Sequence, residues 1–136
     1  MAFELQMLGL VTFLLMLGWV PGFVCKYQTY GLGWMLSNRS TAGLPPLPEW
    51  GQRAERAYDN LQAHYPAFAV AVLLLALTGG FSLRTSLAAA VFAAARLVHM
   101  PAYTLGIVWL RVLSWTLGFA ASLNLLVTAV LGLVKI

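Results

Sequence analysis

Charge is what this 136-residue chain has least of: only 9% of its residues are charged, and just four are acidic. So few charges leave no surface for an ordinary soluble domain, and the hydrophobic share of 61% removes the disordered class as well. A single cysteine, Cys25, rules out an intrachain disulfide. Two histidines without a Cys/His cluster give no metal-ligand spacing, and no glycine-rich phosphate loop is present. The net charge of +4 is scattered rather than gathered into a basic run, so a nucleic-acid partner is not expected. No internal repeat and no low-complexity tract divide the chain, which suits one domain over 1–136.

What is abundant is long apolar sequence. Four stretches stand out: Phe3–Cys25, Tyr65–Phe81, Leu87–Trp109 and Val112–Val134. A membrane span needs roughly 20 apolar residues. The second stretch reaches that length if the helical pattern from Gln52 to His64 is added upstream. The expected fold is an all-α membrane protein, an up-down bundle of four spans over about 3–26, 51–80, 85–108 and 111–135. A loop over about 31–50 joins the first two spans, and its Pro45-Pro46-Leu47-Pro48 piece should be extended. The first stretch has Glu4 and no basic flank, so it reads as a mature span and not a signal peptide. Gly18 and Gly22 have the GxxxG spacing that permits close helix contact, with Pro21 expected to kink the helix between them. Pro66 and Pro101 should bend the second and third spans.

Lys26, Arg39, Arg53 and Arg56 lie on or beside the first loop, against Arg84 and Lys135 on the other side. The positive-inside rule puts that loop and the turn near Arg111 in the cytoplasm, with both termini outside.

Polar groups inside apolar helices are the strongest functional signal, because charge at membrane depth costs several kcal/mol. At about 100° per residue, Arg53, Arg56, Asn60 and His64 share one face of the second span, while Glu55 and Asp59 point elsewhere. Arg96, His99 and Tyr103 line one side of the third, and Arg111, Trp115, Gly118 and Ser122 share a face of the fourth. Chain direction brings these sets to one level, with Arg96 about 10 Å deeper than Tyr103. A basic, hydrogen-bonding pocket open to the cytosol is expected, suited to an anionic ligand with carboxylates. Plainer readings exist: Arg53, Arg84 and Arg111 can snorkel to headgroups, and Arg96 can bridge to Asp59 or Glu55.

Arg53-Ala54-Glu55-Arg56-Ala57-Tyr58-Asp59-Asn60, followed by Tyr65-Pro66-Ala67-Phe68, resembles the second-helix signature of the MAPEG family, the membrane-associated proteins in eicosanoid and glutathione metabolism. Ala95-Arg96-Leu97-Val98-His99-Met100-Pro101-Ala102-Tyr103 resembles the third-helix signature, and Arg111 sits at the position of the fourth-helix arginine. The resemblance covers Asn38 to Gly118. It implies a homotrimer in contact with membrane lipids, binding glutathione as co-substrate between protomers, and an apolar small-molecule substrate. The implied binding set is Arg53, Arg56, Asn60, His64, Arg96, His99 and Tyr103, with Arg111 stabilising the thiolate and Tyr103 assisting. The implied activity is that of a transferase or peroxidase acting on an apolar electrophile or lipid hydroperoxide. Ala63 stands where the family usually carries Glu, and Val112 where some members have Ser. The alternative is therefore a non-catalytic member that binds a lipid or a partner protein. A small transporter fits least, since no carboxylate other than Glu4 lies in an apolar stretch.

Overall fold

The computed structural model describes residues 2–134. Lys135, assigned above to the outer side, falls outside them. Five helices follow in order: α1 Phe3–Leu17, α2 Val20–Met35, α3 Glu49–Thr78, α4 Leu83–Leu105 and α5 Val108–Leu133. Among the described residues no strand forms. Four units are long and apolar enough to cross a membrane: Phe3–Met35, which combines α1 and α2, and then α3, α4 and α5. The chain is an all-helical, multi-pass membrane bundle. Its exposed surface carries many large apolar side chains, among them Phe13, Leu77, Leu87 and Trp109, as a lipid-facing surface requires.

The first unit differs from the expected single helix over 3–26. It breaks at Gly18-Trp19, one step before Pro21, and then runs on to Met35. Pro21 occupies the opening turn of α2, where its missing N–H leaves no bond unmade. Gly18 and Gly22 both face α3: an added methyl group would press on Tyr58 at 3.0 Å from Gly18 and on Glu55 at 3.2 Å from Gly22. A second kink falls at Gly31, whose φ of 78° is open to glycine at little cost. The loop is correspondingly shorter than 31–50. It folds back onto α2, with Tyr30 Oη donating to Pro45 O at 2.8 Å and Trp34 Nε1 to Ser40 O at 2.8 Å. These bonds tie the loop to α2 on both sides of the Gly31 kink. Pro45–Pro48 is non-helical, and α3 starts directly after it.

Pro66 and Pro101 lie inside helices that remain continuous. The centre of the bundle is filled by α1, α3, α4 and α5, with Phe68 stacked on Phe92 at 4.0 Å between ring centres. The α4 N-terminus is closed by a capping box, Thr85 N donating to Ser82 Oγ and Ser82 N to Thr85 Oγ1. Glu4 from α1 completes this end: it is 2% exposed and accepts from Thr85 Oγ1 at 2.6 Å and Ser86 Oγ at 2.9 Å. At the other end, Gly106 (φ 77°) reverses the chain between α4 and α5 in a left-handed cap. That turn and the start of α3 meet, because Arg53 Nε donates to Thr104 O at 3.0 Å.

Candidate functional site

The helices bring most of the polar residues to one place, but they enclose them. Arg96 is 1% exposed and His99 2%. The expected pocket open to the cytosol is thus a packed interior cluster in the protomer. Three helices build it. Arg96 Nη1, from α4, donates to Asn60 Oδ1 on α3 at 2.9 Å, and Nη2 approaches Trp115 O on α5 at 3.4 Å. The guanidinium also lies over the Phe92 ring, 5.2 Å from its centre. Gly118 on α5 makes room for it, since a methyl group there would overlap the guanidinium. Only the folded arrangement shows why Gly118 shares a face with Arg111 and Trp115.

Among the described residues no carboxylate neutralises Arg96. The bridge to Glu55 or Asp59 weighed from sequence does not form: Glu55 pairs with Lys26 of α2, and Glu49 with Arg53. Burying a charge with neutral partners alone is costly. Arg96 Nε, moreover, has no hydrogen-bond partner among the described residues.

His99 is the second incomplete group. Its Nδ1 lies 3.2 Å from Arg111 O and 3.2 Å from Ser114 Oγ. A carbonyl only accepts, so Nδ1 carries the proton when the ring is neutral, leaving Nε2 as an acceptor. That Nε2 is buried and unpartnered. One free donor and one free acceptor therefore occur three residues apart on α4, on the same helix face. Ser114, which also donates to Arg111 O at 3.1 Å, did not stand out in the sequence. Its only signal is its place three residues after Arg111.

Tyr103 packs edge-on against His99, 5.5 Å between ring centres, and the Arg111 guanidinium sits over the Tyr103 ring at 4.9 Å. Arg111 forms no ion pair among the described residues. His64 accepts from Trp115 Nε1 at 3.1 Å and packs edge-on against Trp115 and Phe119. Arg53 and Arg56 stand apart from this cluster. Arg53 is spent on Thr104 O and Glu49, and Arg56 is exposed. Asp59 and Gln62 line a separate cavity of about 400 Å³ between α2 and α3, together with Lys26, Glu55 and Tyr58. Ala63, where a Glu was expected, is exposed.

A four-span bundle with buried polar groups on its third and fourth spans, met by the half-buried Asn60 and His64 of the second, defines an integral membrane protein built around an interior site. The chain belongs to the MAPEG family, whose pattern it matches over residues 4–131, nearly its whole length. That family includes glutathione transferases and peroxidases as well as non-catalytic members. No curated protein and no solved structure matches the chain.

Proposed function

We propose that the protein is a glutathione-dependent transferase or peroxidase working as a homotrimer, with the thiolate of glutathione attacking an apolar electrophile or reducing a lipid hydroperoxide. The observation that carries this reading is Arg96: a fully buried guanidinium that has, among the described residues, no carboxylate counter-ion and an unused Nε–H. A ligand carboxylate supplies the missing charge, and a peptide amide complements the free donor of Arg96 and the free acceptor of His99. Asn60 and Tyr103 complete the binding set, with His64 holding Trp115 behind them.

In this reading Arg111 does the electrostatic part of the chemistry. A guanidinium offers donors and no acceptor, so its part is electrostatic. Its charge favours the thiolate over the thiol, and the Tyr103 hydroxyl beneath it can donate to the same sulfur. With the loop between α2 and α3 on the cytoplasmic side, glutathione enters from the cytosol while the second substrate arrives through the bilayer. Arg53 and Arg56, outside the interior cluster, would reach the ligand only across a protomer boundary.

A second reading has its own observation. Asn60 and Trp115 O already engage Arg96, so the interior can be a structural bridge in a non-catalytic member of the family. Titrating the purified protein with glutathione by calorimetry separates the two. Saturable binding that releases heat supports the first. No binding, in a preparation shown to be folded, gives the case to the second.

A further inference from the structure

The surface carries a long apolar groove that meets the interior cluster only at Ser114. It runs between α4 and α5 as two hollows of about 660 and 310 Å³ that share Val91 and Leu117. Its walls are matched stripes of the antiparallel helices: Leu87, Val91 and Val98 from α4, and Leu117 and Leu113 from α5. From Arg84 to Val98 it extends about 21 Å at 1.5 Å per residue. One leaflet of hydrocarbon is roughly 15 Å deep.

Its far end, opposite Arg111, is polar. Arg84 Nε donates to Asn124 Oδ1 at 3.3 Å. A snorkelling arginine turns outward to the headgroups. Arg84 instead reaches a residue nine positions, about 14 Å, before the end of α5. None of the four acidic side chains pairs with it. Glu4, the one at that end, is occupied with Thr85 and Ser86. The Asn124 amide N–H groups remain free to donate beside the guanidinium.

We infer that this groove is a binding site for an anionic phospholipid, its phosphate on Arg84 and Asn124 and one acyl chain laid between α4 and α5. The charge complement of a guanidinium that meets no carboxylate among the described residues is the phosphate, and the trough, longer than one leaflet of hydrocarbon is deep, has room for an acyl chain along it. The site is independent of the glutathione reading.

The test is native mass spectrometry of the full-length protein released from detergent after loading with phosphatidylglycerol or phosphatidylcholine. Phosphatidylcholine carries the same phosphate with a compensating choline cation, so one arginine against the net charge predicts retention of phosphatidylglycerol about fivefold or more above phosphatidylcholine. Arg84→Ala should erase that preference. Ala120→Trp, which fills the groove from an exposed position, should lower retention of both lipids. Circular dichroism confirms that each variant is helical. Equal retention of the two lipids by the parent overturns the inference, and so does retention unaffected by either substitution. Loss in Arg84→Ala without loss in Ala120→Trp reduces the site to a surface charge and overturns the groove.

Discussion

Gly118→Ala should be among the most damaging single-methyl changes available to this protein. In an exposed helix interior the substitution normally stabilises, by up to about 1 kcal/mol, because alanine loses less backbone entropy. At Gly118 the new methyl group falls on the Arg96 guanidinium, which is 1% exposed and has nowhere to retreat. Overpacking of this kind costs about 1–3 kcal/mol. If the guanidinium yields instead, it gives up its bond to Asn60, worth about 1.5–3 kcal/mol for a charged donor. Set against the helix-propensity gain of up to about 1 kcal/mol, either route leaves a net loss of about 0.5–2 kcal/mol. The assay is reversible unfolding in mixed micelles, read as helicity against denaturing detergent. Gly9→Ala is the control, because no atom lies within 4 Å of its added methyl group. A double-mutant cycle with Arg96→Ala isolates the cause, since Gly118→Ala should be nearly free once the guanidinium is gone. An equal cost of Gly118→Ala in the presence and absence of Arg96 would refute the assigned contact.

Four further outcomes are expected. Arg96→Ala should weaken glutathione binding by about 1.5–3 kcal/mol, the value of one charge-assisted contact, as measured by calorimetry on folded protein. Arg111→Ala should slow turnover of a model electrophile while leaving glutathione affinity nearly intact, with Arg111→Lys recovering part of the rate; identical rates in all three proteins would remove Arg111 from the chemistry. Glu4→Ala removes the carboxylate to which Thr85 and Ser86 both donate, leaving Thr85 only Ser82 O, and takes a negative charge from the α4 N-terminus, so it should cost about 1–3 kcal/mol in the same micelle unfolding assay. Native mass spectrometry in mild detergent should show a trimer, and monomers alone across several detergents would contradict the proposed assembly.

Much of the fold was written in the sequence because lipid imposes a simple rule. A chain with four apolar stretches and almost no charge can satisfy its backbone only as spanning helices. The periodic placement of Arg96, His99 and Tyr103 on one helix, and the motif around Asn60, made the family and the candidate residues legible for the same reason: helical spacing turns a linear pattern into a face. Tertiary structure decided what each face meets. Arg96 reads as a ligand-binding charge from its spacing, yet whether it opens to solvent depends on α5 closing over it with Gly118 and Trp115. Arg53 and Arg56 share a face with Asn60 in projection, but Arg53 lies at the level of the turn after α4 and bonds Thr104 there, which separates it from the interior cluster. The break at Gly18-Trp19 and the continuation to Met35 follow from contacts with α3 and the folded-back loop, not from the residues of the first span alone. In the sequence Glu4 is only the one carboxylate inside an apolar stretch. Only the packing of α1 against α4 made it the buried acceptor of Thr85 and Ser86, because a carboxylate's role is set by the donors that surround it.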